Sequence, residues 1–268
     1  MKAKIYLLNI VTILMSCNFS QFSTNELPGF NFDNFKNTPV KDLAIAARNN
    51  NIDKIETILK NNTLEIDYAE TKFNNNILLC AVVNNKLAAT EKLIQLGANV
   101  NYKTKDEDSL NAILACCLYN ESNDTSMLSL LLRYGVDINS IITSTKDYKL
   151  ENTPLLALIT SSVIGKNMLK IKYLVNKGAN VNISLNGEIN NLIRKSIELD
   201  RLDILKFLFL NSKIEIPKFY GYIYRETNHP RKLTIIEALY SNDYVKGSKN
   251  DKLRTEIIDF LKSKGQNN

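Results

Sequence analysis

A single phrase recurs along the chain, and this internal repeat limits the possible folds more than any other feature of the sequence. Each copy has a Leu- and Ile-rich stretch, then Gly or a substitute, then a short segment of β-branched residues and Asn. Such a unit can bury its apolar side only against its neighbours, so the pattern predicts a stack of helical units. The copies occupy residues 54–67, 91–101, 128–139, 171–182, 204–216 and 256–267, of which the first and the last two are the weaker.

A glycine follows the helical stretch in each of the clear copies. Gly97, Gly135 and Gly178 are separated by 38 and 43 residues. Because Gly readily adopts the left-handed conformation that ends many helices, we expect a helix of each unit to end at this position. In the weaker copies the position is taken by Asn62, Ser212 and Gly265.

A shorter helix is predicted before each of these stretches. Its clearest opening lies at residues 152–158, N-T-P-L-L-A-L, where Thr153 can cap the helix and Pro154 suits its first turn. The turn after the longer helix is rich in Asn, which tolerates left-handed backbone and caps backbone groups. These asparagines are Asn99, Asn101, Asn139, Asn180 and Asn182.

Together these phrases resemble the ankyrin repeat family. The G-A-N-V-N and G-V-D-I-N phrases and the T-P-L opening follow the family pattern, although Leu156 stands where His usually does. The resemblance covers residues 38–268. It implies an all-α, ankyrin-type helical repeat solenoid of about six repeats that is irregular at its C-terminal end. It also implies that the usual hydrogen bond from His between repeats is missing.

The N-terminus has the order of a secretory signal. Two lysines precede a mostly apolar stretch at residues 5–15, which is too short for a comfortable membrane span. The L-M-S-C sequence at residues 14–17 resembles the lipobox of bacterial lipoproteins, in which the Cys thiol receives a diacylglycerol. This resemblance implies that residues 1–16 are a lipoprotein signal peptide and that Cys17 is lipidated. A plain cleaved signal peptide and an uncleaved anchor remain alternatives.

Residues 17–37 separate this signal from the repeats. They show no helical period and are dominated by Asn, Ser and Phe, so we predict a flexible tether. Phe30, Phe32 and Phe35 alternate within it, which indicates that part of the segment packs on the first repeat.

Composition narrows the classes of partner. The chain has 268 residues, of which 44% are hydrophobic and 23% charged, as is usual for a globular protein. Its net charge is +6, with a basic surplus in the last fifth. This surplus suits an acidic partner or an anionic membrane, or is simply a solvated surface. No Lys/Arg run resembles a nucleic-acid arm, so no nucleic-acid partner is predicted.

No constellation of catalytic residues is recognisable. His229 is the only histidine, and neither a nucleophile motif nor a phosphate-binding motif accompanies it. Cys80, Cys116 and Cys117 lack metal-ligand spacing and lie in apolar stretches, where Cys acts as a small hydrophobe. The sequence therefore predicts a protein without enzymatic activity, cofactor, metal or small-molecule substrate.

The region after the fifth copy is aromatic and basic. Tyr and Arg are common anchors at protein interfaces, so these side chains are candidates for binding a partner. The alternative is a long hairpin whose Tyr rings cover the last repeat, and the sequence leaves both open. The candidate residues are Phe219, Tyr220, Tyr222, Tyr224 and Arg225.

These features predict a non-enzymatic protein-interaction module whose partner is an unknown protein. A solenoid offers an extended concave surface, here with turns near residues 70–76, 103–109, 141–151, 183–190 and 217–231. Lipidation implies a cell-envelope protein anchored to a bacterial membrane, in the periplasm or on the surface. The alternative function is a structural or host-facing surface lipoprotein.

Overall fold

A computed structural model of the chain describes residues 26–61, 63–105, 109–144, 150–161, 167–185, 190–223 and 231–266. Within these ranges twelve α-helices follow one another as six consecutive pairs. The pairs are α1 (Lys41–Arg48) with α2 (Ile52–Asn61), α3 (Ile77–Val83) with α4 (Leu87–Gln95), α5 (Ala112–Tyr119) with α6 (Ser126–Arg133), α7 (Pro154–Thr160) with α8 (Met168–Asn176), α9 (Asn191–Glu198) with α10 (Leu202–Asn211), and α11 (Ile235–Tyr240) with α12 (Lys249–Ser263).

Neighbouring pairs stack in chain order. The first helices of the pairs, here called the inner helices, contact one another in sequence from α1 through α9, and the second helices, the outer helices, do so from α2 through α6. This arrangement confirms the predicted helical solenoid of six repeats. None of the helices in the described ranges is long and apolar enough to cross a membrane.

Short hairpins connect consecutive pairs on the side of the inner helices. In the connection between α8 and α9, the Asn191 N–H donates to the Ile183 carbonyl over 3.2 Å, and the Leu185 N–H donates to Asn191 Oδ1 over 2.6 Å. The other hairpins are closed by the bridge Ala69–Asn76, the bridge Lys103–Asn111, the antiparallel ladder of β1 (Ile142–Ser144) with β2 (Leu150–Asn152), and that of β3 (Gly221–Ile223) with β4 (Arg231–Leu233). The strands in the described ranges thus form finger-like hairpins and no larger sheet.

Polar caps fix where most inner helices begin. In five of them a side-chain oxygen accepts a hydrogen bond from the backbone N–H three residues further on, which satisfies a donor left free at the helix start. Thr153 caps α7 in this way with Pro154 in the first turn, so the predicted T-P-L opening is confirmed. The five capping residues are Asn76, Asn111, Thr153, Asn190 and Thr234.

Left-handed glycines end most outer helices, as the sequence predicts. The φ angles are +103° at Gly97, +82° at Gly135, +90° at Gly178 and +78° at Gly265. Ser212 stands in this place after α10, where the helix also ends, but its φ is extended at −131°. A side chain makes the left-handed conformation costly, and the Ser212 hydroxyl instead donates to the Leu208 carbonyl over 2.6 Å. Asn62 lies outside the described residues.

The hydrophobic core of the described chain has two parts. The larger cluster runs from Phe30 to Leu208 and joins the N-terminal segment to the first five repeats. The smaller cluster runs from Ile193 to Leu261 and is built by α9 to α12. The last repeat therefore shares little of the main core, in keeping with the irregular C-terminal end that was predicted.

Residues 26–37, the described part of the predicted tether, are folded against the first three repeats. They form two 3-10 turns, Pro28–Phe30 and Phe32–Phe35. All three phenylalanines are buried, and Phe35 is fully enclosed. The packing indicated by their alternation is thus present, and this part of the segment is not extended chain.

Candidate protein-binding surface

The inner helices and the hairpins together form one continuous side of the solenoid, here called the inner face. The described residues of the hairpins expose polar side chains, among them Lys72 in the first hairpin, Lys105 in the second and Lys232 in the last. These regions include the turns that the sequence singled out. A surface of this kind is held by stacked helices, so it loses little conformational entropy when a partner binds.

Asp and Asn side chains at the base of the hairpins link successive repeats. The Asn99 N–H donates to Asp67 Oδ2 over 3.0 Å, the Asn180 N–H to Asn139 Oδ1 over 2.7 Å, and the Glu215 N–H to Asn182 Oδ1 over 2.7 Å. These bonds link successive repeats at positions other than the one where the family's His is missing. Burial raises the pKa of the Asp67 carboxyl, although the Asn99 amide opposes this.

A second set of links starts from the turns between inner and outer helices. Asn50, Asn85 and Asp200 occupy these turns with φ of 54°. Asn50 Oδ1 accepts from the Ala89 N–H over 2.7 Å, so the turn of the first repeat is tied to the second. Asn85 and Asp200 accept from the following repeats too, but from side-chain amides, those of Asn120 and Asn242. An Asn or Asp that tolerates left-handed backbone indicates the turn in the sequence. The bond to the next repeat cannot be predicted from the sequence.

The Tyr-rich hairpin is described only in part. Phe219 and Tyr220 are half-buried, and Tyr220 packs against the smaller core cluster. Tyr222 lies in β3, while Tyr224 and Arg225 lie outside the described residues. The contact of Tyr220 supports a covering role for this ring, and partner binding by the other candidates stays a prediction.

Phe219 is flanked by two lysines. The Lys232 Nζ lies 4.4 Å from the centre of its ring, and the Lys218 Nζ lies 5.7 Å away. Ammonium groups over a ring face are attracted by its quadrupole, an effect of about 0.5–1 kcal/mol at exposed sites. Both lysines are exposed, so this end of the inner face carries positive charge around an aromatic ring.

The chemistry of the described interior is that of packing. Burial raises the pKa of the Cys116 thiol to about 12, and it also raises the pKa of Cys80 and Cys117, so these thiols stay protonated. The described residues contain no group of three or more metal-ligating side chains. His229 and Cys17, the histidine and the predicted lipidation site, lie outside them.

Six stacked helix pairs with hairpins between them define a helical repeat fold of the ankyrin type. The solved ankyrin repeat domain of human ASB11 superposes on the chain with a TM-score of 0.53, covering 82% of this chain and 83% of that one. The sequence identity is 15%, so this likeness concerns the fold alone. The predicted all-α, ankyrin-type fold is confirmed.

Sequence comparison points to the same family. The chain is 30% identical over 217 residues to ankyrin repeat protein R858 of Acanthamoeba polyphaga mimivirus, covering 78% of this chain and 49% of that protein. It is 33% identical over 92 residues to an ankyrin repeat protein of Rickettsia bellii (strain RML369-C). That match covers 34% of this chain and 13% of that protein. The chain thus spans about half or less of the length of these relatives. No family model matches the sequence.

Both comparisons support the ankyrin repeat resemblance that the sequence motifs indicate. Ankyrin repeat proteins are in general protein-interaction modules.

Proposed function

We propose that the chain is a non-enzymatic protein-interaction module that binds an unidentified protein partner through its inner face and hairpin tips. The observation that carries the proposal is the row of hairpins between the stacked helix pairs, whose described residues include the exposed Lys72, Lys105 and Lys232. Such a surface is broad and stiff, which suits a protein partner better than a small molecule. The protonated state of the three buried thiols removes the described cysteines as nucleophiles.

Charge reversal at the hairpin tips tests this function. Cross-linking with the full chain identifies proteins that bind it, and the affinity of each is then measured with Lys72→Glu and Lys105→Glu. We expect affinity to fall at least tenfold, because each change reverses an exposed charge at the proposed contact.

Matched control variants lie on the outer helices. Lys172 is exposed on α8 with its Nζ 5.7 Å from the Phe207 ring, much as the Lys72 Nζ lies 4.8 Å from the Phe73 ring. Lys172→Glu thus controls for Lys72→Glu, and Lys54→Glu on α2 controls for Lys105→Glu. Partners that bind all four variants equally well would contradict the assignment of the inner face.

We further propose that the protein is exported and held on a bacterial membrane by a lipid on Cys17. Support comes from the L-M-S-C sequence that ends an apolar stretch behind two lysines. Several acyl chains on one residue would anchor the protein firmly, whereas one chain anchors only marginally. Fatty-acid labelling of the unaltered protein beside Cys17→Ser decides the matter, since label that survives in the variant contradicts lipidation.

The cell envelope offers two locations for a lipid-anchored protein of this kind. Protease added to intact cells cuts a surface protein and spares a periplasmic one. Cleavage in intact cells would favour the alternative role of a structural or host-facing surface lipoprotein, and protection would favour a periplasmic partner.

A further inference from the structure

The N-terminal segment lies across the inner face of the first three repeats. The strap, defined as residues 26–31, contacts the first hairpin and the C-terminal ends of the inner helices α3 and α5. The Phe30 ring lies 5.1 Å from the ring of Tyr119, the last residue of α5. A segment of the chain itself therefore occupies part of the surface that is proposed to bind a partner.

The repeats hold the strap by its side chains at both ends, where Arg48 on α1 bonds to Glu26 over 3.2 Å and to Asn31 over 2.9 Å. Between these ends they hold it by its backbone, as a groove holds a bound peptide. Asn75 Nδ2 in the first hairpin donates to the Gly29 carbonyl over 2.8 Å, and Asn84 Nδ2 at the end of α3 donates to the Phe30 carbonyl over 2.8 Å. Side-chain amides that capture backbone carbonyls bind a chain regardless of most of its side chains, and an aromatic pocket adds selectivity. Here the Phe30 ring supplies the aromatic contact.

The strap fits this groove incompletely. Asn75 is 4% exposed, yet its buried Oδ1 atom has no hydrogen-bond partner among the residues that the structure describes. An orphaned buried acceptor costs free energy that a ligand with a suitably placed N–H would recover. The site therefore offers a donor and an acceptor on one amide, and the strap uses only the donor.

Open space adjoins the strap. A groove of about 440 Å³ is lined by Glu26 and Leu27 of the strap on one side and by Asn84, Tyr119 and Glu121 of the repeats on the other. A competing chain can enter there before the strap has left, which lowers the barrier to exchange.

We infer that the groove around Asn75, Asn84 and Tyr119 is a peptide-binding site that the strap fills in the absence of a partner. Its ligand is a protein segment that places a Phe beside Tyr119, a carbonyl at Asn84, and both a carbonyl and an N–H at Asn75. This inference rests on the proposed function and adds to it a subsite and a competitor within the same chain. The partner must displace the strap to bind.

The test uses the full chain and a fluorescent peptide with the sequence of residues 26–35 as the probe. Phe30→Ala weakens the strap and leaves the groove unchanged, so the peptide should bind this variant at least tenfold more tightly than the unaltered chain, whose strap competes at high effective concentration. Phe30→Leu keeps apolar packing and should give a smaller gain of about threefold. A peptide with both of its first two Phe residues changed to Ala should not bind.

Adding Asn84→Ala to Phe30→Ala should weaken peptide binding about tenfold, because a hydrogen bond from the groove is lost.

Equal peptide binding by the unaltered chain and both folded Phe30 variants would overturn the inference, as would an Asn84→Ala change without effect. Loss of the helical circular dichroism signal in Phe30→Leu would also overturn it, since the strap would then be an obligatory part of the core. If peptide binding fails while the hairpin variants still lose their partner, only this inference is wrong.

Discussion

Three turns between inner and outer helices use Asn or Asp where a left-handed backbone would favour Gly. Asn50, Asn85 and Asp200 each have a φ of 54°. A non-Gly residue in this conformation costs about 1 kcal/mol, and Asn and Asp lower that cost. Each side chain also bonds to the next repeat, for example Asn50 Oδ1 to the Ala89 N–H over 2.7 Å. The bond between repeats offsets the strain of the turn.

Replacing Asn50 by Gly separates these two effects. Gly relieves the strained backbone but leaves the N–H of fully buried Ala89 without its acceptor, which costs about 1–3 kcal/mol. We therefore expect Asn50→Gly to lower the free energy of unfolding by about 1 kcal/mol, measured by urea denaturation. Asn74 has the same φ of 54°, and its side chain makes no hydrogen bond within the described part of the chain. Asn74→Gly should change stability by less than about 0.5 kcal/mol, and an equal loss in both variants would contradict the role of the Asn50 side chain.

The identity of a residue predicts its backbone conformation better than it predicts which residues its side chain contacts. The glycines after the outer helices are predictable because few other residues tolerate a φ near +90°. Ser212 also marks the end of its helix, but its hydroxyl bonds back to Leu208 and its backbone is extended. Tyr220 packs against the smaller core cluster because its side of the hairpin faces the core. A sequence with several alternating Tyr residues does not specify which side that is.

At the scale of elements, ion pairs tie the outer helices together. Glu56 on α2 lies 3.0 Å from the Lys92 Nζ on α4 and 2.6 Å from the Lys60 Nζ on its own helix. Hydrogen bonds from these two lysines lower the pKa of Glu56 to about 2 from the ordinary value of 4.5. The pKa of Glu56 is lower in the folded protein than in the unfolded chain. Its ion pairs therefore stabilise the fold above pH 4.5, and this stabilisation is lost as the pH falls toward 2.

We expect the Glu56 carboxyl to titrate near pH 2 in the folded protein, as followed by its carboxyl carbon resonance. Lys92→Met should raise this pKa, because it removes one of the two ammonium groups. Salt at about 1 M should raise it as well, since an exposed pair is screened. Arg133→Met, which breaks the equivalent α6 to α4 pair with Glu91, should leave the pKa of Glu56 unchanged. A normal pKa for Glu56 in the unaltered protein would contradict the ion pair.

The helices could be predicted from the sequence more completely than the segments around them. Thr153 and Pro154 mark the start of α7 because cap and first-turn chemistry is local. The strap was harder to recognise, since residues 26–31 have no helical period and their burial depends on Asn75, Asn84 and Tyr119 far along the chain. Alternating phenylalanines indicated packing, but only the fold reveals that it takes place on the inner face.

At the scale of the whole molecule, the division of the core predicts unequal stability along the solenoid. In a stack where each repeat contacts only its neighbours, stability is a sum of local terms and interface terms, and the ends open first. The larger cluster joins the N-terminal segment to five repeats, while α11 and α12 pack within the smaller one. The last repeat should therefore open at a lower free energy than the middle of the chain.

Two matched substitutions test this division. Leu79 on α3 and Leu239 on α11 are both fully buried, and each Leu→Ala change removes about 2–5 kcal/mol of local packing. Hydrogen exchange followed by mass spectrometry should show Leu239→Ala lowering protection in α9 to α12 alone, because the effect fades across the boundary between the clusters. Leu79→Ala should lower protection from α1 to at least α6, since its repeat has neighbours on both sides within the larger cluster. If Leu239→Ala lowered protection equally in α1 and α11, the solenoid would unfold as one cooperative unit, and the two clusters would have no separate thermodynamic meaning.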